Sequence, residues 1–318
     1  MKKVLITGAL GQIGSELVLE MRKIYGDQNI VASSRSMEDN PKVIESGPFE
    51  LVDVLEPKQI ADAVSKHKVD TIIHLAAILS AVGEANPALA WKINVEGLFN
   101  ALEIAREKNV AVFTPSSIAA FGPSTPKDNT PQDTLQRPNT MYGVTKVSGE
   151  LLCDYYYEKF GVDTRGVRFP GLISYETLPG GGTTDYAVHI YYEALKTGKY
   201  TCYLKEDTYM DMMYMPDALQ AIIQLAEADP SKLVHRNAFN VTAMSFSPKE
   251  INEEIRKHIP QFTIDYQVDP IRQKIADSWP NSLDDQAART EWGWKPKYDL
   301  AAMTQDMLGK LRNKLNIK

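Results

Sequence analysis

The sequence of 318 residues holds only two cysteines, Cys153 and Cys202. Two thiols are too few for a disulfide framework and lack the paired spacing of a zinc site, so a reducing cytoplasm is the expected setting and no metal is expected. No basic run is present that would neutralise a nucleic-acid backbone or an anionic membrane surface, and the formal net charge is -6. Nucleic acid is not expected as a partner. No apolar stretch approaches the roughly 18 residues of a membrane span, so no membrane association is expected either. The opening "MKKVLITGALGQIG" begins like a signal peptide, but glycines break the apolar run and no small-residue cleavage site follows. An uncleaved start is expected. Low-complexity segments and internal repeats are also missing, which argues against disorder and solenoids.

What is present is an ordinary globular composition, 43% hydrophobic and 24% charged. The length suits one large α/β domain, or a main domain with a smaller lobe. Short runs rich in branched residues alternate with helical patterns: residues 4–7, "NIVASS", "FELVDV", "VDTIIHLAA", "VAVFTPSS" and "TRGVRF" read as strands. Helices are expected at about 13–25, through "NPALAWKINVEGLFNALEIAREKN", and at about 142–160. This pattern predicts an α/β fold, a doubly wound parallel sheet of Rossmann type. After Pro170 the chain becomes glycine-rich and then proline-interrupted, as in a smaller C-terminal lobe closing over the ligand-binding edge of the sheet. The expected division is 1–171 for the dinucleotide-binding domain, with 207–241 returning to it, and 172–206 plus 242–318 for the substrate lobe.

"TGALGQIG" sets Gly8, Gly11 and Gly14 between the first strand and the first helix. A pyrophosphate needs such a turn: a close backbone approach and a helix N-terminus whose free amides face the anion. About 20 residues further on, where an acidic residue usually reads the NAD ribose, stand Ser34 and Arg35. A serine can bond a ribose hydroxyl and an arginine can meet a 2′-phosphate, so these residues alone leave NAD and NADP open. Asp53, after the third strand, suits either the adenine side or a turn cap.

In "MYGVTK", Tyr142 precedes Lys146 by four residues, on the same helix face. Free tyrosine, with a pKa of about 10, is a poor base at neutral pH, and a neighbouring ammonium favours the phenolate. Upstream, "PSSIAAFG" ends a strand with Ser116 and Ser117, where a hydroxyl can hold a substrate oxygen beside the tyrosine.

The segments TGALGQIG, LVDV, HLAA, INVEG, SSIAAFG, YGVTK and RFPG follow one another as in the extended short-chain dehydrogenase/reductase superfamily, which the chain resembles over nearly its whole length. The resemblance implies Tyr142 as general base, Lys146 on the nicotinamide ribose and Ser117 orienting the substrate alcohol. It further implies cofactor contacts at Gly8, Gly11, Gln12, Ile13, Gly14, Ser34, Arg35, Asp53, Val54, Leu75, Ala76, Ala77, Asn94 and Pro170, besides Tyr142 and Lys146. A homodimer is implied through helices at about 88–108 and 142–160.

Sugar-nucleotide members carry an arginine for the substrate diphosphate where "YMDMMYMPDAL" has Met210, and a methionine cannot pair with phosphate. Phosphate held from elsewhere, by Arg272 or Lys274, would be the alternative. "PGLISYETLPGGGTTDYAVHIYYEAL", "YMDMMYMPDAL" and "IADSWPNSLDDQAARTEWGWKPKYDL" are similar to the short-chain type of L-threonine 3-dehydrogenases. That similarity implies oxidation of the β-hydroxyl of L-threonine to 2-amino-3-ketobutyrate with NAD as cofactor. It points to Ser80, Ser117, Tyr142, Thr183, Thr184, Asp185 and Trp279 around the substrate, with Asp185 facing the ammonium. "GGGTTD" also reads as a capped turn and Trp279 as a core residue. An NAD-dependent sugar-nucleotide epimerase or dehydratase is the second reading, and a regulatory dinucleotide sensor a third.

Overall fold

In the computed structural model, which describes residues 1–37, 40–178 and 180–317, the branched runs of the first half form a parallel sheet. Its strands are β1 (Val4–Thr7), β2 (Ile30–Ser34), β3 (Phe49–Leu51), β4 (Thr71–His74) and β5 (Ala111–Phe113), and, after a short β6 (Ser116–Ser117), β7 (Thr164–Arg165). The order is β3-β2-β1-β4-β5-β7, every pair parallel. Strand order reverses between β1 and β4, and in such sheets the crevice beyond the carboxyl ends of those strands takes the ligand.

The two-residue side-chain period explains the layers. Val4 and Ile6 point into a core shared with Leu17, Val18 and Met21 of helix Gln12–Tyr25 and with helix Met215–Glu227. Leu5 points the other way, with Ile72, into a core filled by Leu98 and Leu102 of helix Gly97–Lys108 and by Cys153 and Tyr156 of helix Met141–Phe160.

Three expected elements come out differently. "VAVFTPSS" is two strands: Pro115 has no amide hydrogen to continue β5, and β6 joins β8 (Val167–Phe169) in another sheet. "TRGVRF" divides in the same way between β7 and β8. The helical stretch 88–108 is three pieces, Pro87–Trp91, a π-helical Lys92–Glu96 and Gly97–Lys108, and the π turn carries Asn94.

The remaining strands are β9 (Gly171–Ile173), β10 (Lys199–Cys202), β11 (Met210–Tyr214), β12 (Phe239–Asn240), β13 (Met244–Phe246) and β14 (Thr263–Tyr266). They form small sheets ordered β12-β8-β6, β13-β11-β9 and β10-β14. A third core gathers Tyr186, Tyr191, Ile251 and Met307 from the later helices, Met210 from β11 and Trp279 from the segment after helix Pro270–Ala276. Among the described residues no helix is long and apolar enough to cross a membrane.

Candidate active site

Helix Met141–Phe160 begins where the Thr140 hydroxyl accepts the Gly143 amide at 3.1 Å, an N-cap that puts Tyr142 and Lys146 on its first turns. Gly143 is required there by space. A Cβ on it would lie 2.2 Å from the Ala119 carbonyl, so only glycine lets the helix start abut the Ile118–Ala120 turn that follows Ser117. The Ser117 hydroxyl opens that turn by accepting the Ala119 amide at 3.2 Å. Lys146 Nζ donates to the Pro115 carbonyl at 2.8 Å and lies 5.4 Å from the centre of the Tyr142 ring.

Beneath these residues is a buried ion pair. Glu150, one turn past Lys146, receives Arg168 Nε at 3.0 Å and Nη2 at 2.8 Å, together with Gln136 Nε2 at 2.7 Å and the Ser116 hydroxyl. Arg168 Nη1 reaches the Gln132 carbonyl at 2.8 Å and Asn240 Oδ1 at 3.1 Å. The pair ties helix Met141–Phe160 to β8, the strand beside β6, and the Ser116 hydroxyl joins β6 to it directly.

At the other end of the same cleft the chain turns at Gly8, with φ of 68°, and helix Gln12–Tyr25 starts behind Gly11 with no side-chain cap. A Cβ on Gly14 would sit 2.3 Å from the Gly8 carbonyl, so the helix rests directly on the loop. Uncapped first-turn amides over a glycine bed have the shape and polarity that a pyrophosphate takes.

The cleft, about 260 Å³, brings most of the expected residues together. Gly8, Gly11, Gln12, Ile13 and Gly14 form one wall, with Leu75, Ala77 and Pro170 near them; Ser117, Tyr142 and Lys146 line it with Ser80, Thr183, Thr184, Asp185 and Trp279. A larger groove, about 710 Å³ and lined by Glu16, Lys23 and Gln224 among others, contains none of Ser117, Tyr142 or Lys146, so that chemistry does not lie in it.

Other expected residues lie off the cleft wall. Ser34 ends β2 and the exposed Arg35 follows it, at the carboxyl edge of the sheet. Asp53 Oδ1 accepts the Leu55 amide at 2.9 Å, the turn-cap role, and Val54 packs in the core against Gly97. Ala76 backs the glycine loop, its amide nitrogen 2.7 Å from where a Gly8 Cβ would be. Asn94 clamps Ile78, accepting its amide at 2.7 Å and donating to its carbonyl at 3.0 Å and to Thr145 Oγ1 at 3.0 Å.

In the Thr183–Asp185 turn, Asp185 Oδ2 accepts the amides of Gly181 and Gly182 at 2.8 and 2.6 Å, which leaves Oδ1 for other work. Burial raises its carboxyl above the ordinary range, opposed by those amides. Trp279 is both pocket wall and core residue. Met210 is wholly buried. The Arg272 guanidinium stacks 4.3 Å from the Tyr203 ring, and neither it nor Lys274 lines the cleft. Sequence reasoning missed Leu79, Ile118, Phe169 and Leu172, which complete the apolar lining. Leu172 was readable as the middle of an apolar run; the others carried no signal of their own.

A model of the NAD-dependent epimerase/dehydratase family matches residues 4–242. The chain belongs to this family. A Staphylococcus haemolyticus protein described as an uncharacterized epimerase/dehydratase is 58% identical over 314 residues, 99% of each chain. Among solved structures, an L-threonine dehydrogenase from Clostridium difficile is 66% identical with a TM-score of 0.97, over 99% of this chain and 98% of that one. The holo form of an L-threonine dehydrogenase from Cupriavidus necator is 47% identical with a TM-score of 0.94, over 97% and 99%. A Thermotoga maritima UDP-glucose 4-epimerase, 19% identical over 98% and 99% with a TM-score of 0.83, shares the fold alone. This epimerase/dehydratase family member is thus an NAD-dependent oxidoreductase with NAD as its cofactor.

Proposed function

We propose that the protein oxidises the β-hydroxyl of L-threonine to 2-amino-3-ketobutyrate. The observation that carries this reading is the likeness to the Clostridium difficile L-threonine dehydrogenase, 66% identical over 99% of this chain and so through the lobe that lines the substrate side. The burial of Met210, where a diphosphate-binding arginine would stand, supports a small substrate.

Bound NAD supplies the hydride acceptor. Gly8, Gly11, Gln12, Ile13 and Gly14 would hold its pyrophosphate and Ser34, Arg35, Asp53 and Val54 its adenosine end. Leu75, Ala76, Ala77, Asn94 and Pro170 would shape the groove, with Ala76 and Asn94 acting from behind the wall. Ser117 holds the substrate hydroxyl and the Tyr142 phenolate removes its proton. Lys146, fixed by the Pro115 carbonyl, sets its ammonium beside the ring. Asp185 Oδ1 faces the ammonium; Ser80, Thr183 and Thr184 offer hydroxyls to the carboxylate, and Trp279 closes the pocket against water. The division into a dinucleotide domain (1–171 and 207–241) and a substrate lobe (172–206 and 242–318) belongs to the same proposal.

The test is the absorbance of reduced nicotinamide when L-threonine is offered with NAD and, separately, with NADP. Reduction of NAD is expected, and Tyr142→Phe should lower turnover at least about 100-fold while still binding NAD. Silence with threonine together with turnover of a nucleotide sugar would overturn the reading.

We infer also a homodimer across the faces of helices Gly97–Lys108 and Met141–Phe160, where Phe99, Leu151, Tyr155 and Phe160 stand exposed. A related L-threonine 3-dehydrogenase from a metagenome, 45% identical with a TM-score of 0.93, is described as monomeric. Light scattering should give twice the chain mass, and a monomer at working concentrations would refute the dimer.

A further inference from the structure

Behind Lys146 lies a second, much smaller void of about 30 Å³, walled by His74, Asn94, Thr114, Lys146 and Glu150 among others. That volume suits about one water molecule. His74 ends β4 and is 3% exposed. Its Nδ1 lies 3.1 Å from the Thr7 hydroxyl, while its Nε2 is buried with no partner. A buried ring nitrogen left this way is a defect unless something in the void satisfies it.

Donor arithmetic names the other side. The Lys146 ammonium has three N–H bonds. One goes to the Pro115 carbonyl, and the proposed hold on the nicotinamide ribose would take a second. The remaining polar side chains of the wall already have partners. Asn94 is engaged with Ile78 and Thr145, the Thr114 hydroxyl donates to the His74 carbonyl, and Glu150 holds Arg168, Gln136 and Ser116.

We propose that a water molecule bound in this void accepts a hydrogen bond from Lys146 Nζ and donates one to His74 Nε2, which makes His74 a positioning residue for the catalytic lysine. The polarity of the chain is fixed by charge. A proton on Nε2 would point a positive edge at the ammonium, whereas a proton on Nδ1 is taken by the Thr7 hydroxyl and leaves Nε2 as the acceptor the water needs. Burial, and then the Lys146 charge, push the His74 imidazole down to about 3, so the ring stays neutral across the working range. The titratable groups facing the void are Lys146 and Glu150 from the catalytic helix and His74 from β4; Arg168 neutralises Glu150 from β8. A flexible four-carbon side chain thereby gains a second anchor, and its charge stays where the phenolate of Tyr142 needs it.

The arm of the inference that reads turnover rests on the proposed threonine oxidation; the structural arm does not. A high-resolution crystal structure of the wild-type protein should show one water within hydrogen-bond reach of both His74 Nε2 and Lys146 Nζ, and a dry void would overturn the proposal whatever the substrate is. In solution, His74→Asn keeps a partner for Thr7 and removes the Nε2 position, while His74→Gln returns an oxygen near it. His74→Asn should move the acid limb of the kcat profile up by about one pH unit, about tenfold lower turnover on that limb. His74→Gln should restore most of it. An unchanged profile in His74→Asn, or the same displacement in both variants, would refute the positioning role. Should His74→Asn fail to fold, the His74→Gln profile and the wild-type water decide: a displaced His74→Gln profile counts against the role.

Discussion

Glu150 and Asp211 are both buried carboxyls, one beneath the Ser116 and Tyr142 face, the other in β11 against the segment that follows Trp279. Glu150 meets a guanidinium over two bonds and two further donors. Among the described residues Asp211 meets no cation; its oxygens take the Thr242 hydroxyl at 2.6 Å and the Leu283 amide at 2.8 Å, and Asp285 lies near enough to repel it. Burial therefore pushes Asp211 up to about 8. The difference shows how one protein keeps two buried acids. With a matched cation the acid sits in a two-bond ion pair and stiffens a network; with neutral donors alone Asp211 keeps its proton through neutral pH and acts as a clasp.

The largest effect expected from this contrast comes from breaking the charged pair. Glu150→Ala leaves Arg168 buried without its anion and should cost about 3–5 kcal/mol of stability, read by urea unfolding. Glu150→Leu with Arg168→Met should recover most of that loss, because the charge problem disappears from both sides. If the double variant is no better than the single one, the contrast between charged network and neutral clasp fails.

A smaller effect separates the clasp. Folded Asp211 holds a proton up to about pH 8, whereas in the unfolded chain an aspartate releases it near 4. The folded state then binds the extra proton between those values. The contribution of Asp211 to stability is full below about pH 4, fades as pH rises, and is flat above about 8. Asp211→Asn imitates the protonated acid, its carbonyl facing Leu283 and its amide facing Thr242. It should change stability at pH 4 by less than about 1 kcal/mol and remove the fade toward pH 8. Unfolding curves at the two pH values check this; an undiminished slope in Asp211→Asn would mean another group is responsible.

The same contrast bears on what a sequence reveals. The β1, glycine loop and first helix were legible because strands buried on both faces must be branched and a pyrophosphate loop has fixed glycine spacing. Tyr142, Lys146 and Ser117 were legible through helical spacing and strand-end position. Glu150 and Arg168 were not, since they meet only when helix Met141–Phe160 packs over β8, 18 positions away in the chain. Nothing local marks His74 as more than a strand end, because its orphan nitrogen is a property of the packed void. The π turn at Asn94 kept the apolar rhythm of an ordinary helix, and the split of β5 from β6 was signalled only by Pro115. Asp185 suited both a capped turn and a substrate contact, and its two oxygens allow both.

Pro115 itself has a consequence for redesign. It ends one sheet just before the next begins, and its carbonyl is the one that Lys146 grips. The ammonium is thus pinned at the joint between the sheets and not to the Thr183–Asp185 turn. An engineer who recuts residues 183–185 and 279, the substrate contacts proposed above, would leave that joint intact, and the placement of the charge would carry over.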